Sequence, residues 1–518
     1  METAMKNALE RLHKIQEENL LGSGQKWVDR QRSLGKLLAR ERIECFVDEG
    51  TFAELGSVVE ATSMRIDGKI IHSPCDGAII GHGSVDGRHV AVYASDFTVQ
   101  AGSAAQQHMV KFDKLWDFAG KWGIPMVWLL DSAGGRLGQD DIAAAGVEWF
   151  FWYESQYSGV VPQICVLLGP CIAGQAYAPC LTDFLLMSRG TAHLWLGGPR
   201  MTAAATSEKM DDVVGSGDYH MIHSGTCDAV GEDDRDTIAM ARKLLGYLPS
   251  NFREKPPVAR TDDIPLREVP DLVDIVPADL SKNYDMHDVI ERLVDDGDYF
   301  EIKDEYAKQL ITCLCRFNGQ AVGLVASNPV EPGSILECNA CDKYYRFLEV
   351  LDAYNIPLVN LIDTPPYVPG DEEEEKGLLR HGGKIIHLYA NATIPKISII
   401  LRQSYGDAGS IILGGVKGMG GDFCYSWPIA TIGVSSSDLD LRNAYGGGVE
   451  DDAYDRYLNR PREKLDVFEV ARTATAQVVD EIINPVDTRK KIIRALELTK
   501  NKVERLPLKA KAHGTPPT

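Results

Sequence analysis

PQICVLLGPCIAGQAYAP, residues 162–179, is the stretch from which the fold is read. Ile164, Cys165, Val166, Leu167 and Leu168 form an unbroken apolar run of strand length, the pattern of a strand buried on both faces. Gly169, Pro170, Ala173 and Gly174 then predict a tight turn that leads into a helix. Small residues let a ligand approach the main chain, and a helix N-terminus aims unpaired N–H groups at it. That geometry suits an anion or a developing oxyanion, although an ordinary strand-to-helix turn in any α/β protein reads the same way. The chain carries the arrangement twice. PKISIILRQSYGDAGSII, residues 395–412, has the same strand, turn and small-residue cluster.

The duplication extends outward from these two stretches. Asp86-Gly-Arg-His-Val-Ala-Val-Tyr-Ala-Ser-Asp96 is echoed by Asn318-Gly-Gln-Ala-Val-Gly-Leu-Val-Ala-Ser-Asn328, and Gly102-Ser103 by Gly333-Ser334. Gly123-Ile-Pro-Met-Val-Trp-Leu-Leu-Asp131 is echoed by Asn355-Ile-Pro-Leu-Val-Asn-Leu-Ile-Asp363, with matching gaps between landmarks. One fold therefore occurs twice. In the first copy a hairpin turns at Asp86-Gly87, a helix covers 104–121, a buried strand covers 125–130, and a further helix covers 142–157. Strand and helix in alternation predict an α/β unit with a largely parallel sheet. Proline and charge interrupt the periodicity from Asn251 to Val276, so domains of 1–260 and 261–518 are expected on either side of a linker. Val467–Arg494 reads as mostly helical. Within Asp480–Leu498, Asn484-Pro485 is a break and Asp487 or Thr488 a cap.

The chain has 518 residues, a formal net charge of −21 and eleven cysteines. The length supports two full cores. The charge argues against a non-specific grip on nucleic acid or an acidic membrane. An odd set of scattered thiols fits a reducing setting, so a soluble, cytoplasmic protein is expected. Residues 5–45 read as helical and locally basic. Arg30, Arg32, Lys36, Arg40 and Arg42 are either a solvated face or a clamp on phosphate.

Side-chain chemistry is sparse. The chain has no G-x-S-x-G and no G-x-x-x-x-G-K-[ST]. His220 and His223 lack an obvious third ligand. Cys313, Cys315, Cys338 and Cys341 could hold zinc, but Cys313 and Cys315 flank Leu314 in a strand pattern and read better as packed core. Asp371–Glu375, DEEEE, reads as a solvated loop or helix start, so no metal is expected. What remains is main-chain amide chemistry at two turns.

Residues from end to end resemble the carboxyltransferase (β) subunit of biotin-dependent acyl-CoA carboxylases, a family shared with acyl-CoA decarboxylases. The match rests on Gly35-Lys-Leu-Leu-Ala-Arg-Glu-Arg-Ile43, Ser95-Asp-Phe-Thr98, Asp131-Ser132 with its glycines, Gly169-Pro-Cys171, Arg380-His-Gly382, Tyr405-Gly406, Trp427-Pro428 and Asp487-Thr-Arg489. The resemblance implies two tandem crotonase-like domains, with acyl-CoA on the first and biotin on the second. It also implies a homohexameric core, with the site between the first domain of one subunit and the second domain of another. Carboxybiotin would release CO2, and the biotin anion would take the α-proton of the thioester. The amide pairs would fall at Ala173 and Gly174, and at Asp407 and Ala408. Substrate contacts would fall at Ser132, Ala133, Gly134, Gly135, Arg136, Gly406 and Ser410.

Several positions depart from the family pattern. Ala173 stands for a glycine, Asp407 for a glycine, and Ser410 for an acidic residue linked to acyl-group choice. An unusual acyl group or direction of reaction is therefore expected. No Met-Lys-Met motif and no glycine-rich ATP-binding region occurs, so a biotin carboxylase and a biotin carrier subunit are expected as partners. The expected activity is transfer of a carboxyl group from carboxybiotin to an acyl-CoA. Decarboxylation onto biotin, or a non-catalytic CoA-binding scaffold, are the alternatives.

Overall fold

A computed structural model describes residues 2–60, 64–66, 69–136, 151–280, 282–331, 336–365, 370–409, 413–414, 419–433, 478–504, 506–507 and 515. The chain divides into two compact units, Met1–Glu254 and Lys255–Thr518. Both are mixed α/β.

Unit 1 begins with helices α1 (Glu2–Leu20), α2 (Gln25–Ser33) and α3 (Ala39–Phe46). Its strands are β1 (Ala53–Leu55), a separate hairpin of β2 (Met64–Ile66) and β3 (Lys69–Ile71), then β4 (Ala78–Val85), β5 (Arg88–Ser95), β6 (Met126–Leu130), β7 (Gln163–Leu167), β8 (Pro170–Ile172), β9 (Phe184–Ser188), β10 (His193–Trp195) and β11 (Ala229–Gly231). Helix α4 (Gln106–Trp122) crosses from β5 to β6. The seven-stranded sheet has the order β1-β4-β5-β6-β7-β9-β11, and β8 pairs with β10 apart from it. The pairs β1–β4 and β4–β5 are antiparallel; β5 through β11 are parallel.

Unit 2 repeats this plan. Its strands are β12 (Tyr299–Glu301), β13 (Leu310–Phe317), β14 (Gln320–Ser327), β15 (Leu358–Thr364), β16 (Lys396–Tyr405), β17 (Phe423–Ser426), β18 (Thr431–Gly433) and β19 (Glu481–Ile482). The order is β12-β13-β14-β15-β16-β17-β19, with β18 on β16. Two antiparallel pairs again precede the parallel ones. Each hairpin turns on two left-handed residues, Asp86 and Gly87 (φ 49° and 77°) or Asn318 and Gly319 (φ 52° and 76°), the geometry that matches strand twist. Each turn is held by a carboxylate. Asp48 accepts from the amides of Asp86 and Gly87 at 3.1 and 2.9 Å, and Asp295 from those of Asn318 and Gly319 at 2.9 and 2.6 Å.

Register aligns the copies. Leu130 faces Leu167 across β6 and β7, and Ile362 faces Ile400 across β15 and β16. Counting onward from these pairs, Asp131 corresponds to Asp363, Gly169 to Arg402, Ala173 to Gly406, Gly174 to Asp407 and Gln175 to Ala408. The β8–β10 pair corresponds to the far ends of β16 and β18.

Three sequence expectations are corrected. The turn after β7 does not run straight into a helix: β8 intervenes, then a 3-10 turn (Ala173–Ala176), then the helix Tyr177–Leu181. Asp480–Ile483 is not helical, because the edge of β17 takes Glu481–Ile482 as β19; the helix begins at Thr488. The basic segment is not one surface: Lys36 and Arg42 are buried in ion pairs, whereas Arg30 and Arg32 are exposed. Cys313 and Cys315 lie in the unit 2 core, while Glu373 of the DEEEE helix (Asp371–Lys376) accepts the amide of Cys338 at 3.1 Å. Gly333-Ser334 and most of helix 142–157 lie outside the described residues; 151–157 is helical.

His287 sits on helix Met286–Leu293, with Nδ1 2.6 Å from Asp285 and Nε2 3.0 Å from Glu301. The bond to Glu301 leads the causes that raise its pKa from 6.5 to about 9. A raised folded-state pKa contributes stability below the unfolded value and loses it as pH rises through the folded one. The stability difference between wild type and His287→Gln, measured by urea denaturation, should therefore be largest below pH 6.5 and vanish above about pH 9. Replacing Arg42 by Met leaves the buried Asp234 without its cation and Asp131 with Lys36 alone, and should cost unit 1 about 3–5 kcal/mol in the same measurement.

Candidate functional site

The parallel strands of unit 1 deliver three loops to the ends where α/β sheets bind ligands. β5 leads into Gln100–Gly102, a run with φ of 50°, 55° and 64°. β6 leads into Asp131–Arg136, and β7 with β8 leads into Ala173–Ala176. Asp131 anchors the middle loop. Its side chain is fully buried, with Oδ2 2.6 Å from Lys36 Nζ, 2.9 Å from Arg42 and 3.0 Å from Gln31. Burial opposes charge on both cations. It prevails at Lys36, whose pKa falls, whereas Asp131 and Asp234 outweigh it at Arg42, whose pKa rises. Arg42 therefore carries the counter-charge most securely.

Ser132 is buried, and its Oγ lies 2.7 Å from Gly102 O, 2.7 Å from the Gln175 amide and 3.2 Å from the N–H of Gly134. Ala133 is half-buried and donates to Ala101 O at 2.9 Å. Gly134 has φ 93°, and a Cβ there would sit 3.0 Å from Ile172 O, so glycine lets this loop lie against the last residue of β8. Gly135 is exposed and bridges Ala104. Arg136, expected at the substrate, braces the loop from inside. It is buried, 2.5 Å from Asp76, with Nε 3.2 Å from Ser103 Oγ. Asp76 also accepts the N–H of His108 at 2.8 Å. Burial lowers the His108 pKa to about 4. The ring is neutral, donating from Nδ1 to Asp76 O and accepting the Tyr93 hydroxyl at Nε2.

Ala173 and Gly174 open the 3-10 turn, where first-turn N–H groups have no partner within the turn. Ala173 has φ 61°, and Gly406 at the corresponding place has φ 58°. In unit 2 the residues Gly406 and Asp407 likewise open a helical turn, Ala408 is buried and the Asp407 side chain is exposed. A carboxylate in solvent does not crowd its own amide. Ser410 lies outside the described residues.

Gln31 and Gln175 escaped the sequence reading, and Lys36 and Arg42 were read there without their tie to Asp131. One signal was present: aligned copies put Arg402 opposite Gly169. Arg402 pairs with Asp363 at 2.6 Å, whereas a Cβ on Gly169 would fall 1.9 Å from Asp131 and 2.6 Å from Lys36 Nζ. A missing arginine in one copy requires a cation from elsewhere in the chain.

Duplicated α/β units ending in paired main-chain turns mark the class of protein. The chain belongs to the carboxyl transferase domain family, whose model matches residues 30–514. It is a carboxyltransferase of the biotin-dependent acyl-CoA carboxylase group. It is 36% identical to methylmalonyl-CoA decarboxylase subunit alpha of Propionigenium modestum over 514 residues, covering 98% of each chain. Identity to the propionyl-CoA carboxylase beta chain of Roseobacter denitrificans is 35% over 507 residues, 98% of this chain and 99% of that one. Among solved structures, transcarboxylase 12S, a hexamer with methylmalonyl-CoA bound, matches with a TM-score of 0.91 at 35% identity and 99% coverage of both chains. No helix among the described residues is long and apolar enough to cross a membrane.

Left-handed backbone costs an L-residue about 1–2 kcal/mol. Ala173→Gly should therefore leave unit 1 equally or more stable in thermal melts, and Gly406→Ala should destabilise unit 2 by roughly 1 kcal/mol.

Proposed function

We propose that this chain moves a carboxyl group between biotin on a partner subunit and the α-carbon of a short acyl-CoA. In this reading the amides of Ala173 and Gly174 hold the thioester oxygen as it gains enolate charge. One observation carries the assignment: the same turn, with its first residue at φ near 60°, follows equivalent strands in both units. The two units are crotonase-like domains, the first (1–260) taking acyl-CoA and the second (261–518) biotin.

Fixed amides suit this reaction because they need not reorganise as charge develops, and each such donor typically contributes 10²–10³ in rate. Loop Asp131–Arg136 sets the height of the first turn through Gly134 and Ser132. Beside Gln100 and Ala101 opens a groove of about 1070 Å³, lined by Trp27, Arg30, Leu34 and Phe97. It gives the nucleotide end of CoA two rings and a cation.

At the second turn the amides of Asp407 and Ala408, one residue further along than the first pair by register, would hold the biotin ureido oxygen. The solvent-facing Asp407 carboxylate leaves them room to do so. Biotin, when bound, supplies the carboxyl group and the base that an acid–base side chain would otherwise provide. A hexameric core and a partner bearing biotin follow from the same reading, as does a cytoplasmic setting. A second reading, decarboxylation of methylmalonyl-CoA, is favoured by similarity to the decarboxylase alpha subunit.

Incubation with methylmalonyl-CoA and free biotin, or with propionyl-CoA and carboxybiotin, and comparison of the two rates should distinguish the directions. Gly174→Pro removes one N–H at a position where helical turns accept proline. It should lower turnover at least ~10²-fold. Undiminished turnover would refute the amide assignment, and no turnover by wild type with any acyl-CoA would leave a scaffold.

A further inference from the structure

Ser132 has one hydroxyl proton and two oxygen neighbours at 2.7 Å, Gly102 O and the Gln175 side-chain oxygen. A backbone carbonyl is always an acceptor, whereas an amide side chain can present either end. Both contacts are satisfied only when Ser132 donates to Gly102 O and Gln175 Nε2 donates to Ser132 Oγ, with the Gly134 N–H at 3.2 Å as a second donor. One buried hydroxyl then joins three loops, those following β5, β6 and β8.

The geometry points to Gln175 and Ser132 as a positioning pair that fixes the amides of Ala173 and Gly174 without touching the substrate. Ala173 occupies a left-handed conformation that strains an L-residue, so its turn needs an external restraint. Gln175 is two residues further along that turn, and its partner is immobile: Ser132 is buried and follows the anchored Asp131. The latch is absent from unit 2. There Gly406 adopts the same φ without a Cβ, Ala408 replaces Gln175, and Thr364 at the place of Ser132 bonds its neighbour Pro365 O at 3.2 Å. Strain and restraint occur together in unit 1, and both are lacking in unit 2. Ser132, expected from sequence to contact substrate, is thereby reassigned.

The inference rests on the carboxyltransferase reading, and two measurements separate them. The first is hydrogen–deuterium exchange of segment 170–181, read by mass spectrometry, in wild type, Gln175→Ala, Ser132→Ala and the double variant. Losing one net hydrogen bond should speed exchange roughly fivefold. The double variant should be no faster than the faster single one, because the two side chains form one contact. Wild-type exchange in Gln175→Ala, or additive effects, would overturn the latch. Gln175 is half-buried at the rim of the turn and outside the core, so its variant tests the idea even if Ser132→Ala misfolds.

The second measurement is turnover of methylmalonyl-CoA with free biotin. Gln175→Ala should lower kcat on the order of 10–10² with little change in KM, the mark of misplaced amides. Gln175→Glu should lower kcat further, since it takes the Ser132 proton and brings a negative charge to the turn. A raised KM with unchanged kcat would make Gln175 a substrate contact and overturn the proposal. An inactive wild type would count against the carboxyltransferase reading alone, and the exchange result would still decide the latch.

Discussion

Each unit is organised around one buried carboxylate at the C-terminal end of a central strand. Asp131 directly follows β6 and Asp363 is the penultimate residue of β15, and each donates its amide to a serine of the preceding parallel strand, Ser95 at 2.5 Å or Ser327 at 3.2 Å. An isolated buried carboxylate is too costly to survive folding, so each must have a cation. In unit 2 the cation comes from β16 itself: Arg402 lies 2.6 Å from Asp363, and Tyr284 adds a hydroxyl at 2.9 Å. In unit 1 that position is Gly169, and the vacated volume admits Lys36 and Arg42. The N-terminal helices are thereby bound to the sheet. The loop after Asp131, which frames the first amide turn, inherits this anchorage.

The two copies thus keep a shape and exchange its chemistry. Hairpin turns, strand senses and left-handed turn residues recur, while counter-ions, turn side chains and restraints differ. A fold built on main-chain amides permits this, because amides depend on backbone path and tolerate many side chains. Asp407 illustrates the limit. A carboxylate beside an anion site is acceptable only where it faces solvent, and its exposure in this chain meets that condition.

Much of the architecture was legible in the residues. Apolar runs at 126–130 and 164–168, the Asp86-Gly87 turn and the spaced echoes after 318 are local signals, and the strands and duplication follow from them. The turn at Ala173–Gly174 was legible as small residues in a strand-to-helix setting. Long-range pairing was not. Nothing near Lys36 or Arg42 marks them as partners of Asp131, about a hundred residues on, so the basic segment read as surface. Arg136 was placed at the substrate by family resemblance, and its ion pair with Asp76, 60 residues back, had no signal in the sequence. Gln175 carried no signal, since its partner hydroxyl lies on a different strand end. β19 was hidden by helix-forming composition that an unpaired edge overrode.

The ion pair of Arg42 with both Asp131 and Asp234 has a consequence for biosynthesis. Arg42 leaves the ribosome first, Asp131 some way behind it, and Asp234 near the end of the unit. Translation is slow relative to collapse, so the nascent chain holds a cation whose second partner has not yet been made. Closure of the first unit must wait for that last carboxylate, which makes its completion a late, concerted event. Asp363 and Arg402 emerge only 39 residues apart, and the second unit can seal its central charge while still being extruded.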